Sequence, residues 1–399
     1  MRNAAKIGLC AMFLNYYCIY IIRGSMLPYI TYVAYILMGL YILQSGKLEI
    51  GEEVKMWIIY IILSLATVFF AQNSGYAISG IIKFAERLLI TITIIKICKE
   101  EQSIKFPISL LTCIAVSCAL SVITNLSSLH GRLNLETGAN VSVNDVGSIM
   151  AYGCFSVLLF CERAFTNKEF FKVFLKASLS IVLIIVLFLA GSRKAFYAVL
   201  ILYTLLILTG TLEIKSPSKF LAITVVAVGV YIFADRYLLP LIGETSLYSR
   251  LWGTKAAETV ASDESRFDLY YLAIKDFMNH PIWGLGFNNF DYVHGNYTHS
   301  TYAEPIACSG LIGLFYLVPY ARMFKNQRNL IRYTDKGTNE NLLHRQMYSF
   351  YIMFLFIGFG IPYIYKDVPC IILGMIIAYQ YLSENTMYEE GYFYGTETS

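Results

Sequence analysis

The chain has 399 residues, of which 57% are hydrophobic and only 15% charged, and its formal net charge is +4. A water-soluble domain carries about 25% charged residues, so this chain cannot cover a water-facing surface in the usual way and must be solvated largely by lipid. Its charge is too small to argue for a nucleic-acid partner.

A membrane-crossing helix needs about 20 predominantly apolar residues. In chain order the sequence suggests about 12 such spans, at 7–22, 27–43, 56–72, 77–97, 107–125, 143–161, 173–190, 195–212, 219–234, 301–321, 346–364 and 368–383. The opening MRNAAK and its apolar run read as a first span rather than a cleaved leader, because no small-residue cleavage site follows. Lys and Arg concentrate in the alternate loops that face inward when the N-terminus is cytoplasmic. The expectation is an all-α polytopic protein, a single bundle over 1–399 with both termini in the cytoplasm.

Two outside segments are long enough to carry a function, 126–142 and 235–300. In the longer one, Ser262, Asp263 and Ser265 are candidate helix caps. Phe267, Tyr270, Tyr271, Ile274, Phe277 and Met278 then recur at helical spacing. Pro281 and the glycines of PIWGLGFNNF close that helix. Its apolar stripe is expected to rest on the membrane surface or on the mouths of the spans.

Charges inside spans are costly and face the bundle interior or a watered cavity. Lys83, Glu86 and Arg87 share one face of the fourth span. They either hold helices together or leave surplus positive charge in an anion cavity. Arg193 and Lys194, in the tight turn AGSRKAF, are either solvated tip residues or an anion site at a helix start. Arg266, at the start of the amphipathic helix, and Arg132, in the shorter loop, are further candidates for anion contact.

The nine cysteines form no CxxC pair, which speaks against a disulfide framework or a zinc site. His294 and His299 lack the i,i+4 spacing of a helical metal pair, and no Asp-x-Asp occurs in the outside loops, so no metal is expected. A neutral imidazole can instead take a proton from a hydroxyl nucleophile. The sequence has no GxSxG elbow, P-loop or dinucleotide fingerprint, which leaves acyl-enzyme chemistry and nucleotide hydrolysis without support.

Three stretches carry a family resemblance: SRFDLYYLAIKDFMNHPIWGLGFNNF, HSTYAEPIACSGLIG and GSRKAF. In the first, an Arg precedes an amphipathic helix and a Pro–Gly–Gly turn. In the second, His299 leads a span and is followed by Tyr302, Gly310 and Gly313. Their order resembles the bacterial O-antigen ligase and O-antigen polymerase (Wzy-type) membrane family. Two positions depart from the family pattern: Ser300 stands where Asn is common, and Cys308 lies where a carboxylate is common.

The resemblance implies a GT-C-like glycosyltransferase, free of cofactors, acting on the outer side of the cytoplasmic membrane. Its partners would be an undecaprenyl-diphosphate-linked oligosaccharide, membrane lipid and other polysaccharide-assembly proteins. By position, His299 resembles the general base, and Arg193 and Arg266 resemble the arginines that hold the diphosphate. Arg132, Lys194, Lys83 and Arg87 are candidates to assist them, and His294, Tyr302 and Glu304 are candidate acceptor or substrate contacts. The leading expectation is metal-independent, inverting polymerisation of repeat units of O-antigen, capsule or exopolysaccharide. Ligation of finished polymer to another acceptor and flipping of the lipid-linked sugar are the alternatives.

Overall fold

A computed structural model describes residues 1–17, 27–44, 50–124, 143–164, 169–210 and 256–389. The expected span at 219–234, the loop at 126–142 with Arg132, and the first part of the loop at 235–300 lie outside the described residues. The chain divides into two compact units: Met1–Ile114 with Asp263–Ser399, and Ala115–Ser262.

The first unit contains α1 (Arg2–Tyr17), α2 (Leu27–Gln44), α3 (Glu52–Thr67) and α4 (Ser74–Glu101). The next helix, α5 (Lys105–Thr124), crosses the unit boundary. The second unit contains α6 (Val143–Ala164), α7 (Glu169–Ala190) and α8 (Arg193–Leu208), with α6 packed on both α7 and α8. The chain re-enters the first unit through α9 (Ala256–Asn279). It continues as α10 (Asn289–His294), α11 (Ala303–Ser309), α12 (Leu314–Tyr333), α13 (Asn339–Gly358) and α14 (Val368–Glu389). The described residues contain no strand.

Three helical stretches are long and apolar enough to cross a membrane: Glu52–Phe70, Lys105–Ile123 and Ala303–Tyr333. Shorter apolar helices occupy Tyr29–Gln44, Asn144–Phe160 and Leu175–Ala190. The protein is therefore a helical membrane protein, with fewer full-length spans among the described residues than the sequence suggests.

Two expected elements differ in detail. The amphipathic helix starts at Ala256, upstream of the candidate caps Ser262, Asp263 and Ser265, which fall inside it. The apolar run at 301–321 is not one regular helix. It breaks after Ser309 into a 3-10 turn, Gly310–Gly313, before α12 resumes.

That break has a steric cause. Gly310 has φ +58, and a Cβ on it would lie 2.5 Å from the Pro281 carbonyl oxygen. Gly284 has φ +63, and a Cβ there would lie 2.5 Å from the Ser309 nitrogen. The two backbones thus cross in contact, and only glycine tolerates both the left-handed φ and the approach. Two bonds stitch the crossing: Leu285 N–H to the Ala307 carbonyl at 3.0 Å, and Leu311 N–H to the Pro281 carbonyl at 2.8 Å. Gly286, φ +95, rests against Ala71 just past α3, where a Cβ would come within 2.6 Å of the Ala71 Cα.

The crossing sits on an aromatic core. Tyr60 of α3 contacts Phe84 of α4, Phe287 and Tyr316 of α12 at ring separations of 5.8, 5.7 and 5.6 Å. Its hydroxyl shares a 3.1 Å hydrogen bond with Ser309. Trp57 donates to the Tyr316 carbonyl at 3.1 Å, and Tyr351 donates to the Tyr320 carbonyl at 2.7 Å. The polar tips of Tyr60, Trp57 and Tyr351 therefore each have a partner, as a site away from water demands.

Gly284→Ala and Gly310→Ala are each expected to lower stability by about 1–3 kcal/mol or more, because strain and overlap add. Gly295→Ala is the control: it has φ +72 but nothing within 4 Å of a Cβ, so only strain applies. Thermal unfolding in detergent measures all three, and equal losses would remove the crossing as the cause.

Candidate functional site

At one end of the first unit, the start of α4, the loop before α11 and the turn before α14 converge. Asn73 caps α4 by accepting from the Tyr76 N–H at 3.1 Å. Buried Asn289 grips the same residue, accepting from the Asn73 N–H at 2.8 Å and donating to its carbonyl at 3.2 Å. This reciprocal clamp fixes α10 to the α4 start.

His299 lies on a turn that is over-determined on both sides. Its φ is +58, an uncommon value for a residue with a side chain. On one side, the Thr298 N–H donates to Glu304 Oε2 at 2.7 Å. On the other, Ser300 Oγ accepts from the N–H groups of Tyr302 and Ala303 at 3.1 and 3.2 Å, capping the start of α11. Thr301 then hooks the turn to the segment after α13: its N–H donates to the Gly358 carbonyl at 2.8 Å, and its hydroxyl donates to the Ile361 carbonyl at 2.5 Å. The His299 ring is half-buried and stands 4.3 Å from the Tyr297 ring.

Tyr297 lines a cavity of ≈450 Å³. Tyr76, Asn288, Asp291 and Tyr365 also form its wall, together with three cations, Lys83, Arg87 and Lys366. A second cavity of ≈600 Å³ shares Gly75, Ser79, Lys83 and Arg87 with it and is walled by Tyr32, Tyr35, Ile78 and Ile82. The Arg87 Nε donates to Asp367 Oδ1 at 2.9 Å, and its Nη1 donates to the Lys83 carbonyl at 3.2 Å, which sets the guanidinium plane. In the second cavity Glu86 and Asp367 offset Lys83 and Arg87. The first is lined by Lys83, Arg87, Lys366 and Asp291, with Arg87 already paired to Asp367.

Both Glu304 oxygens are engaged. Oε2 accepts from Thr298, and Oε1 accepts from the Tyr365 hydroxyl at 2.8 Å. Burial and the neighbouring carboxyl push the Tyr365 phenol well above its usual range, so it stays protonated and donates. Glu304 is 0% exposed. As a substrate contact it is thus out of reach in this geometry, and it ties the His299 turn to the cavity wall instead. Tyr302 is also committed, its hydroxyl donating to the Leu355 carbonyl at 2.7 Å. His294 Nε2 shares a 2.7 Å contact with Asp276 of α9, and its ring packs on Phe290.

Of the six candidate diphosphate residues, Lys83 and Arg87 are brought into one cavity. Arg193 and Lys194 open α8 in the second unit, after Gly191 at φ +69. Arg266, half-buried on α9, is not among the described residues that line the cavity. Lys366 was not singled out from sequence. In the stretch YIYKDVP it reads as an ordinary charge between two spans.

Fold and site together define a helical membrane protein with a cation-lined cavity beside a half-buried histidine. Residues 178–318 match the family model described as O-antigen ligase, so this stretch of the chain is similar to that family. No curated protein matches the chain. The matched stretch includes Arg193, Lys194, Arg266, His294, His299, Tyr302 and Glu304. Lys83, Arg87 and Lys366 lie beyond it.

Glu304→Ala should orphan the Thr298 N–H and the Tyr365 hydroxyl, at a cost of about 1–3 kcal/mol. Amide exchange across 296–302 is expected to quicken while the interior of α4 stays protected. Glu304→Gln, which keeps a carbonyl acceptor, should show a smaller change, and unchanged exchange in Glu304→Ala would remove its holding role.

Proposed function

We propose that the chain is a polysaccharide polymerase of the cytoplasmic membrane, with a GT-C-like architecture and both termini inside. It joins undecaprenyl-diphosphate-linked repeat units at the outer face, by inverting transfer without metal. The observation that carries this reading is the placement of His299, through Tyr297, at the edge of a cavity with three cations and one carboxylate.

In this reading the diphosphate of the donor lies against Lys83, Arg87 and Lys366. The His299 imidazole takes the proton of an acceptor sugar hydroxyl. The acceptor oxygen attacks the anomeric carbon from the face opposite the diphosphate, and the carbon–oxygen bond to the diphosphate breaks. The bonding pair leaves on that oxygen, where the cations stabilise the developing charge. Tyr76, Tyr297, Asn288 and Asp291 offer ring faces and hydroxyl partners for the sugars. Arg193 and Arg266 keep their assignment as diphosphate contacts from the family resemblance, and Lys194 and Arg132 keep theirs as assisting anion contacts from the sequence. Glu304 is reassigned to holding the turn, while His294 and Tyr302 keep their assignment as candidate acceptor or substrate contacts. The product polymer is O-antigen, capsule or exopolysaccharide.

A second reading, ligation of finished polymer to a different acceptor, is favoured by the description of the matching family. The two separate in a deletion strain: unextended lipid-linked units support polymerase, and polymer made but not attached supports ligase.

His299→Ala should cut transfer by about 10²–10⁴-fold, the usual contribution of a general base, with the protein still accumulating. Gels of cell-surface polysaccharide read this directly, and normal polymer in that variant would sink the assignment. Lys366→Ala should lower transfer on the order of 100-fold if it faces the leaving group, with partial recovery in Lys366→Arg. Full transfer in Lys366→Ala would move the diphosphate out of this cavity.

A further inference from the structure

The long helix α9 has two apolar faces, and the first unit uses only one. Toward the body, Leu269, Leu272 and Ala273 join Leu285, Phe290, Ala307 and Cys308. On the opposite side Phe267, Tyr271, Ile274 and Met278 recur at three- and four-residue steps, which places them in one narrow arc. These four side chains are between 63% and 71% exposed. The sequence stripe is thus divided: Tyr270 turns away from it and donates its hydroxyl to the Phe359 carbonyl.

The surroundings of this face point to lipid. Beyond the helix end the stripe continues into exposed Ile282. Next to it, Trp283 stacks on Phe70 at 4.8 Å with the rings 12° apart. Phe70 is the last residue of the candidate span Glu52–Phe70, and both Phe69 and Phe70 are exposed. The apolar arc of α9 therefore runs into the aromatic rim at the end of a membrane-length helix. Aromatic rings at such ends sit at the headgroup level. Lys275, exposed at the edge of the arc, has the length to lift its ammonium toward water.

We propose that α9 is an interfacial helix. Its Phe267–Tyr271–Ile274–Met278 face inserts at the headgroup–acyl boundary of the leaflet that receives the Phe70 end of the Glu52–Phe70 stretch. The inner face of α9 packs on α10 and α11, the helices that flank the His299 turn. The helix thereby sets the depth of that turn against the membrane. The lipid contact stands on exposure and position alone, whereas its consequence for transfer rests on the polymerase reading.

The test uses the full chain in nanodiscs of phosphatidylethanolamine and phosphatidylglycerol. A photo-crosslinking benzoylphenylalanine replaces Tyr271 or Ile274, and Asp268, on another exposed face, serves as control. Mass spectrometry is expected to find phospholipid adducts at 271 and 274 several-fold above those at 268. Equal lipid yields at all three positions, or adducts at 271 and 274 to a second copy or to another segment of this chain, would overturn the proposal. A companion variant, Tyr271→Asp with Ile274→Asp, should abolish the lipid adduct from a crosslinker at Phe267 and lower transfer several-fold while the protein accumulates. Lipid adducts in a chain that transfers no sugar would support the interfacial helix and count against the polymerase reading alone.

Discussion

The site depends on a crossing of two backbones. The segment after α9 and the segment after α11 touch at Gly284 and Gly310, where side chains would meet main-chain atoms at about 2.5 Å, and two hydrogen bonds hold them there. Membrane depth tolerates irregular backbone only where it is buried in protein or lines a cavity. Here both conditions apply. The crossing is floored by Tyr60, Phe84, Phe287 and Tyr316, and its flanks supply Asn288, Tyr297 and the His299 turn.

Charge is distributed with the same economy. Lys83 and Arg87 are near neighbours on α4, and their repulsion in a medium of low dielectric would be severe if both faced lipid. Asp367 draws the Arg87 guanidinium toward the turn before α14, and the following wall brings in Lys366. The result is two adjoining cavities that share Lys83 and Arg87, one reaching Lys366 and Asp291 and the other Glu86 and Asp367. Ile78, Ile82, Tyr32 and Tyr35 wall the second of these and make it the more apolar one.

The sequence showed the cationic face of α4 and the histidine at the head of an apolar run, because charge within a span and a rare residue at its boundary both stand out against an apolar background. It did not show Lys366, since a basic residue between two spans has an ordinary reading as a loop charge. Nor did it separate the two faces of α9. Tyr270 and Phe277 share a helical period with Tyr271, Ile274 and Met278, and only the packing of Leu269 and Ala273 on Phe290 decides which arc is left outside. Glu304 was legible as an unusual carboxylate in an apolar run, but its direction was not. A buried carboxylate can turn toward a ligand or toward the protein's own donors, and the nearby Thr298 N–H and the Tyr365 hydroxyl, 61 residues on, settle that choice.

The geometry of His299 follows from these constraints. Left-handed backbone at a residue with a side chain is strained, and such strain persists only where the surroundings over-determine it. Thr298, Ser300 and Thr301 each spend their hydrogen bonds on a different anchor: the Glu304 carboxylate, the start of α11, and the segment after α13. The residue between them has its main chain fixed from both directions, while its ring stays half-buried beside Tyr297. Fixing the backbone from the sides, rather than burying the ring, orients an imidazole without taking it out of reach. Precise placement with retained access is the condition a proton-accepting group must meet to act on a bound hydroxyl. Thr298 and Ser300 are short hydroxyl residues whose side chains turn back on the local backbone, whereas the Thr301 hydroxyl reaches across to Ile361.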